Sequence, residues 1–217
     1  MVWVVKNLVI LFTLLPCCTS YTYYQPSFLW RCGALNTWIR TKVAFYRANA
    51  ALAQSKAALE NSASAMLESA SASKAARQYA DRLNSSSLYK TEVTTYANNA
   101  QDAAKAAEDA YNSAAKLHMF LEQDVSKVMT LKYEVEVDCR SANYEAYDNE
   151  QYSVPDRKRR AQKHIDNAMN NANEAKRYAV LAYLKLFDVL SYSTRAGMLR
   201  NNSYDAMNKA RIKTELG

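Results

Sequence analysis

The side chains of this sequence with the most obvious chemistry are cysteine thiols, and their positions indicate a structural cross-link. Cys32 and Cys139 lie in the body of the chain, whereas Cys17 and Cys18 lie in an apolar N-terminal segment. The polar break Asn84-Ser85-Ser86-Ser87 separates two long Ala-rich stretches, and residue 85 lies 53 residues after Cys32 and 54 residues before Cys139. If the chain folds back there as a helical hairpin, both thiols reach the same end. We therefore predict a Cys32–Cys139 disulfide, which requires an oxidising compartment.

Histidine, the other common catalytic and metal-binding side chain, occurs only twice. His118 and His164 fall on different predicted helices, and neither has a cysteine or carboxylate at the spacing typical of a metal site. Three glycines in 217 residues are too few for a phosphate-binding loop or a nucleophile elbow. We expect both histidines to be structural, and we predict no catalytic residue, no metal site and no cofactor. The chain is therefore not expected to be an enzyme.

A run of four basic residues is the sharpest local signal. It consists of Arg157, Lys158, Arg159 and Arg160. In a secreted protein such a run resembles the recognition sequence of furin-like proprotein convertases, with cleavage after Arg160. The alternative is a basic patch at the start of a helix, where each cation opposes the helix macrodipole by about 0.3–1 kcal/mol. Acidic residues nearby in sequence could offset that cost, namely Glu145, Asp148, Glu150 and Asp156.

Two sequons predict N-glycosylation at Asn84 and Asn201. They are Asn84-Ser85-Ser86 and Asn201-Asn202-Ser203. Both are expected in turns at the same end of the fold, where glycans would leave the opposite end or a lateral face accessible to a partner. The alternative is that both sequons are unoccupied, because Asn and Ser are ordinary turn residues.

The first 20 residues have the organisation of a secretory signal peptide. Lys6 supplies the charge, residues 8–15 form an apolar core, and Pro16 is followed by small residues up to Ser20. An uncleaved membrane anchor is the alternative, but the apolar run is shorter than the roughly 20 residues of a membrane span. Residues 209–217 are polar, unlike the apolar tail of a GPI signal. We predict a secreted, extracellular protein without membrane attachment, in which residues 1–20 are the signal peptide and residues 21–217 form a single domain.

The composition predicts long helices and no strands. Glycine and proline, the usual helix interrupters, number three each, and alanine is abundant. The predicted helices span residues 34–82, 89–147 and 161–195, and the second turn falls at 149–156. Gly197 is expected to cap the third helix, and a short fourth helix is expected at 204–213. The predicted fold class is all-α: an elongated antiparallel three-helix bundle, built from a coiled-coil hairpin plus a third helix, with a short C-terminal fourth helix.

A seven-residue repeat predicts how the first two helices pack. Large apolar residues recur every seven positions in the first helix, and each is followed three positions later by a small residue. The large residues are Trp38, Phe45, Leu52, Leu59 and Met66, and the small ones are Thr41, Ala48, Ser55, Ser62 and Ser69. Folding at residue 85 places residues 100–114 of the second helix against residues 59–70, and residues 121–135 against residues 38–50. Asp124 breaks the apolar column of the second helix and is expected to set the register or face solvent.

Residues 179–190 are the most apolar part of the third helix and are expected to be its best-buried segment. Several tyrosines lie off the predicted seams and are candidates for a binding interface. They are Tyr79, Tyr89, Tyr144, Tyr147 and Tyr152.

The positive charge is concentrated at the C-terminal end. Residues 153–217 contain 13 Lys and Arg against 6 Asp and Glu, whereas residues 21–152 contain 14 against 15. For a secreted chain this asymmetry favours an acidic glycan, anionic lipid or acidic protein as a partner rather than nucleic acid. A solvated helical face that keeps the protein soluble is the alternative.

The chain resembles the elongated helical-bundle surface and secreted proteins of trypanosomes, including the haptoglobin-haemoglobin receptor and the N-terminal domains of variant surface glycoproteins. The resemblance rests on the signal peptide, on Ala/Asn/Lys-rich stretches such as residues 96–105 and 170–176, and on the Cys32 and Cys139 pair. It implies a surface antigen or receptor built as a helical bundle. Those proteins are usually GPI-anchored, and the polar C-terminal residues of this chain depart from that pattern.

Three functions are compatible with these features. The first is a non-enzymatic binding protein that presents a side or end of a rod to a macromolecular partner, a protein or an acidic glycan more than a small molecule. An exposed apolar or aromatic patch would favour it. The second is a structural coiled-coil protein that self-associates as a homo-oligomer. The third is an amphipathic-helix lipid-binding protein, which the predicted disulfide and the small-residue seams disfavour.

Overall fold

The computed structural model describes residues 26–147 and 155–216, which are helical apart from one turn. α1 spans Pro26–Arg82, α2 spans Lys90–Tyr147 and α3 spans Pro155–Leu216. No strand occurs in the described ranges, and the all-α prediction is confirmed. α1 and α3 each begin earlier than predicted, at a proline. Proline suits the first helical position because its φ is fixed near the helical value and its missing N–H would have no helical partner there.

The turn between α1 and α2 lies where the polar break predicts it. Within the turn, the Ser87 backbone N–H donates to the Asn84 carbonyl at 3.0 Å. Lys90, the first residue of α2, donates from Nζ to the carbonyls of Ala80 and Leu83 at 2.6 and 2.9 Å. The last carbonyls of a helix have no partner within the helix, so one lysine satisfies two of them and ties the two helix ends together.

The prediction that the third helix ends at Gly197, and that a separate fourth helix follows, is wrong. α3 continues without a break through Gly197 to Leu216. No described glycine has a positive φ, so Gly197 does not adopt the left-handed conformation of a helix cap. Buried residues continue at helical spacing on both sides of it, at Ala196, Ser203, Ala206 and Ala210. Their burial offsets the roughly 1 kcal/mol that a glycine costs inside a helix.

All three helices contribute to each of two compact units. Unit 1 contains residues up to Val43 together with Thr130–Glu174, and unit 2 contains Ala44–Met129 together with Ala175–Gly217. The core of unit 1 buries Ala34, Val135, Cys139, Ala168 and Ala172, with Trp38 packed against them. One core cluster of unit 2 is rich in alanine and lies beside the turn. Its buried members are Ala76, Ala80, Leu83, Val93, Ala97, Ala100, Ala206 and Ala210.

α1 and α2 pair in the register expected for a hairpin folded at residue 85. In unit 2, Ala58 packs with Ala114, and Ala65 packs with Ala110. In unit 1, Val135 packs with Ala34 beside Trp38. α3 completes the two clusters of unit 2 with Val189 and Ala196.

Small residues, not bulky ones, form the innermost column of α1. Ser55, Ser62 and Ser69 are fully buried, and we call them the polar seam. Each hydroxyl donates to a carbonyl of its own helix three or four residues earlier, at 2.7 to 2.9 Å. Buried hydroxyls are tolerated when they are hydrogen-bonded, and small side chains let neighbouring helices approach closely. Leu52 and Leu59 of the predicted bulky column are only half-buried, at the flank of the seam.

Candidate binding surface

The most apolar stretch of α3 is only half buried, contrary to the expectation that it is the best-buried segment. Within residues 179–190, the side chains of Ala179, Ala182, Leu186 and Val189 are in the core. Five larger side chains are 40% to 56% exposed, and we call them the apolar face: Val180, Tyr183, Leu184, Phe187 and Leu190. The segment is apolar around most of its circumference, but a helix in a three-helix bundle buries only one stripe. The remaining large side chains therefore contact solvent.

The spacing of these five residues places them on one side of α3. Val180, Leu184 and Phe187 are separated by four and three residues, so they lie one above another along the helix. Tyr183 and Phe187 form an edge-to-face pair with ring centroids 5.0 Å apart and planes at 90°. Ten residues of helix rise about 15 Å, so the apolar face is a continuous strip rather than a set of scattered side chains. Strips of this kind on a folded protein mark interaction sites.

The core beneath the apolar face is complete without it. Val189 packs between Ala58 of α1 and Ala114 of α2, with Leu59, Leu117 and Tyr192 around them. Leu186 is almost fully buried on the same inner side. Unit 2 therefore does not need the five exposed residues to close its own core.

A buried ion pair fixes which side of α3 faces inward. Asp124 of α2 is 5% exposed and pairs with the Lys185 ammonium, which also reaches the Phe120 carbonyl at 3.5 Å. Asp124 was expected to set the register or face solvent, and the structure supports the first. Three residues after Asp124 on α2, Lys127 lies over the Tyr178 ring of α3, 4.7 Å from its centroid. These contacts hold Lys185 and Tyr178 toward α2 and leave the apolar face outside. The sequence pattern did not identify Lys185 as the partner, because the two residues are 61 positions apart.

Only some of the off-seam tyrosines are accessible. Tyr144 in unit 1 is exposed, but Tyr79 and Tyr89 are partly buried against the core cluster of unit 2. Arg82 lies over the Tyr79 ring at 5.4 Å and Lys213 over the Tyr89 ring at 4.8 Å, so both rings have structural neighbours. The side chains of Tyr147 and Tyr152 lie outside the described residues.

Cys139 occupies the position that the hairpin register predicts. Its thiol is buried and donates to the carbonyl of Ala34, two residues beyond Cys32 on the same helix, at 3.2 Å. Burial, followed by the charge of Asp138, raises the pKa of the Cys139 thiol from 9.0 to about 11. The Cys32 side chain lies outside the described residues, so the Cys32–Cys139 disulfide stays a prediction.

Both histidines have a carboxylate neighbour: Glu122 lies one helical turn after His118 in the sequence, whereas Asp138 is 26 positions away from His164. His164 of α3 contacts Asp138 of α2, with 2.9 Å between Nδ1 and Oδ1. His118 contacts the Ser55 hydroxyl at 2.8 Å and Glu122 at 3.4 Å. Ser55 is fully enclosed in the core and donates to the Leu52 carbonyl, so this Ser-His-Glu arrangement has no room for a substrate. Within the described ranges no group of three His, Cys, Asp or Glu side chains could hold a metal ion.

The basic run lies in the first two turns of α3, and two of the predicted acidic neighbours are in place. Arg160 donates from Nε and Nη2 to the two carboxylate oxygens of Glu145, at 2.9 and 3.3 Å. This hydrogen bonding raises the pKa of the exposed Arg160 guanidinium. Arg159 lies 3.8 Å from Asp156. Asp148 and Glu150 lie outside the described residues. Cleavage after Arg160 stays a prediction.

One of the two sequons is not in a turn. Asn84 is exposed in the turn after α1, as predicted, whereas Asn201 lies inside α3. The reason is Ser203, which is fully buried and places its hydroxyl 3.0 Å from the Ser69 carbonyl and 3.2 Å from the Ala100 carbonyl. Ser203 therefore joins α3 to both other helices and keeps this segment helical. Asn201 itself is exposed, and occupancy of either sequon stays a prediction.

Comparison with known proteins places the fold. No protein-family model and no curated protein matches the sequence, but two solved structures match the structure. The haptoglobin-hemoglobin receptor of Trypanosoma congolense superposes with a TM-score of 0.54 and 10% identity, over 88% of this chain and 94% of the receptor. The chain resembles the helical surface receptors of trypanosomes. The Trypanosoma brucei factor H receptor, solved with domain D5 of bovine factor H, gives a TM-score of 0.50 and 16% identity, over 88% and 98% of the two chains.

At these identities the similarity establishes the fold and not the ligand. Each receptor is matched over most of its own length, so the resemblance covers the whole arrangement of helices rather than one hairpin. None of the described helices contains an apolar stretch long enough to cross a membrane.

Proposed function

We propose that this chain is a non-enzymatic extracellular receptor that binds a protein partner through the apolar face of α3. The exposed strip of Val180, Tyr183, Leu184, Phe187 and Leu190 is the observation that carries this proposal. The shared fold supports it, because both matched structures are receptors named for a protein ligand. Tyrosine and phenylalanine are enriched at the centres of protein interfaces, where they contribute most of the binding energy.

The shape of the surface favours a macromolecule over a small molecule. Small ligands bind in concave pockets that enclose most of their surface. The apolar face is one side of a helix and is therefore convex, so it cannot enclose a small ligand. A protein groove or a second helix can cover it, as in helix-in-groove recognition.

We further propose that the chain is secreted through removal of residues 1–20 and carries the Cys32–Cys139 disulfide and glycans at Asn84 and Asn201. Intact mass of protein secreted from a eukaryotic host tests all three features together. We expect one chain beginning near Tyr21, lighter by two hydrogens before reduction than after, and carrying glycan. A break after Arg160 would instead show that the basic run is a processing site.

The binding proposal is tested with the full secreted chain immobilised as bait for mammalian plasma, purified haptoglobin-haemoglobin complex and factor H. A retained protein is expected to lose affinity by roughly 30-fold or more on Phe187→Ser or Tyr183→Ser, since interface aromatics typically contribute 2 kcal/mol or more. Ile212→Ser is the matched control, because Ile212 is similarly exposed on the same helix but outside the apolar face. Equal loss in the control, or no loss at Phe187 and Tyr183, would contradict the proposal.

The same face could instead bind a second copy of the chain, which is the self-association alternative. Sedimentation velocity over a hundredfold range of concentration separates the two. A monomer that binds a plasma protein supports the receptor, whereas a dimer that Phe187→Ser dissociates and Ile212→Ser does not would identify the apolar face as a homo-oligomer interface.

A further inference from the structure

The first two turns of α3 in unit 1 carry a basic surface that the proposed receptor function does not use. Residues 155–164 contain five Lys and Arg and a single carboxylate, Asp156. The side chains of Lys158, Arg159 and Lys163 are exposed on this segment, and we call them the basic face. Ala161 is buried beneath them, so the segment is a docked helix and not a loose tail.

Neighbouring carboxylates neutralise little of the positive charge of the basic face. Arg160 is held by Glu145 and lies at the edge of the face, while Arg159 makes only a long contact of 3.8 Å with Asp156. Within the described ranges Lys158 and Lys163 make no ion pair. Cations near a helix N-terminus oppose the macrodipole, so this arrangement is less stable without an anion than the same helix with neutral residues. A bound polyanion would remove that cost.

An aromatic ring and one further cation line a cavity beside the Arg160 and Glu145 pair. An open cavity of about 330 Å³ is lined by Arg140, Ser141, Tyr144 and Glu145 of α2 and by His164 of α3. Arg140 is paired with Glu136, but its side chain is 78% exposed, and exposed pairs of this kind are easily exchanged for another anion. Tyr144 is 70% exposed and offers a ring face with a hydroxyl at its edge. Glu145 does not repel an anion strongly, because Arg160 neutralises it.

We propose that the basic face, together with the Arg140 and Tyr144 side of this cavity, binds a sulfated glycosaminoglycan. Clusters of Lys and Arg over five to eight residues are typical of heparin-binding and nucleic-acid-binding patches. Arginine suits sulfate as it suits phosphate and carboxylate, through parallel N–H donors, and the amphipathic tyrosine ring can cover the apolar face of a sugar. Ser141 and Gln162 add neutral polar groups beside the cations.

The composition of the surface favours a glycan over a membrane. A helix that lies on an anionic bilayer inserts an apolar side into it, next to its basic residues. The exposed residues at positions 156–163 are all polar or charged, namely Asp156, Lys158, Arg159, Arg160, Gln162 and Lys163. Electrostatic contact without insertion fits a soluble, linear polyanion.

The experiment measures binding of the full chain to immobilised heparin by surface plasmon resonance at several salt concentrations. The test variant combines Lys158→Gln, Arg159→Gln and Lys163→Gln. The control variant removes the same number of charges from exposed positions of α1 in unit 2, as Lys56→Gln, Lys74→Gln and Arg77→Gln. We expect the test variant to bind on the order of tenfold more weakly with a shallower salt dependence, and the control to bind within about twofold of the parent. Tyr144→Ala should weaken binding further without changing the salt dependence.

Folding and ligand class are checked in parallel. The test variant is expected to melt at the same temperature as the parent or higher, because removing cations from a helix N-terminus relieves repulsion. Heparin stripped of its sulfates should compete poorly. Equal weakening in both triple variants would show a general charge effect and overturn the proposal, as would equal binding of desulfated heparin. Tighter, residue-dependent binding to phosphatidylserine vesicles or to a DNA duplex would overturn it in favour of those anions.

The glycan proposal is independent of the receptor proposal. Phe187→Ser should leave heparin binding unchanged, and the basic-face variant should retain any plasma protein bound through the apolar face. Each proposal can therefore fail while the other stands.

Discussion

Two segments of unit 2 invert the usual relation between side-chain chemistry and burial. The polar seam of α1 buries three serines, whereas the apolar face of α3 exposes a phenylalanine, a tyrosine, two leucines and a valine. The seam lies where neighbouring helices approach closely and only small side chains fit. The face lies on the side of α3 that no other described element covers. In a bundle of long helices the distance between helix axes therefore limits which side chains can be buried, and hydrophobicity selects only among side chains that fit.

The largest change in the free energy of unfolding is expected when a serine of the polar seam is replaced by an apolar residue. The reverse change in the apolar face, from an apolar residue to serine, should cost much less. Ser62→Leu should lower the free energy of unfolding by about 3 kcal/mol, because the seam has no space for two additional heavy atoms and their branched shape, and overpacking strains the neighbouring helices. Phe187→Ser should lower it by less than about 1 kcal/mol, because the side chain is already half in water. Urea unfolding followed by circular dichroism measures both. Similar costs at the two positions would show that the seam is not closely packed.

Removing the partner that fixes the orientation of α3 should have the next largest effect. Lys185→Met should cost about 2 kcal/mol, because it leaves the buried Asp124 carboxylate without its cation. This expected loss of unfolding free energy is smaller than for a fully buried ion pair, because the Lys185 side chain is partly exposed. Lys176→Met, at an exposed position of the same helix, is the control and should be neutral. The same urea titrations compare them, and a neutral Lys185→Met would show that the ion pair does not hold α3 in place.

Cys139 in unit 1 is also a small buried residue, but it can ionise, so its burial should make the stability of the fold depend on pH. In reduced protein the pKa of Cys139 is about 11, against 9.0 for the unperturbed thiol, chiefly because of burial. Well below pH 9 the thiol is neutral in both folded and unfolded states. As the pH rises from about 9 toward about 11, the unfolded thiol ionises while the folded thiol stays largely neutral, so the fold should lose on the order of 1 kcal/mol.

The loss is measured as the difference in unfolding free energy between the reduced protein and Cys139→Ala at pH 8, 9.5 and 11. The alanine variant removes the ionisable group, so titration of tyrosine and lysine side chains cancels in the comparison. A difference that stays constant with pH would contradict the raised pKa.

The smallest effect is a gain at Gly197. A Cβ added there would meet no atom within 4 Å, and φ is helical, so Gly197→Ala should raise the free energy of unfolding by about 0.5–1 kcal/mol. Thermal melting is sufficient to detect this. A loss instead of a gain would indicate that α3 bends or opens at this residue, as the predicted helix end supposed.

Much of the fold could be predicted because the relevant signals are local or periodic. The helix-forming composition, the polar break at residues 84–87 and the seven-residue repeat together indicated a hairpin and its register, which the pairs Ala58 with Ala114 and Ala65 with Ala110 confirm. The end of the third helix was predicted wrongly because that prediction, too, used only a local signal. A glycine is a local stop signal, and its effect was overridden by Ser203 and Ala206, which are held by residues more than 100 positions away.

The candidate surfaces divide in the same way. The basic run was visible in the sequence because its four residues are consecutive, although its accessibility was not. The apolar face was misjudged because residues 179–190 are apolar on nearly all sides, and periodicity alone cannot indicate which side a neighbour covers. The pair of aromatic residues Tyr183 and Phe187, at a spacing of four residues, was the signal that could have identified it.

The long helices, the reversal of the chain at residues 84–87 and the small residues along the contact of the first two helices all follow from the sequence alone. These properties depend on backbone propensity and on the repeat distance of a helix, which are encoded residue by residue. The continuity of α3, its orientation by Asp124 and Lys185, and the exposure of Tyr183 and Phe187 become apparent only in the folded structure. Those outcomes depend on where a third helix can lie against two others, and that position is set by contacts between residues far apart in the chain.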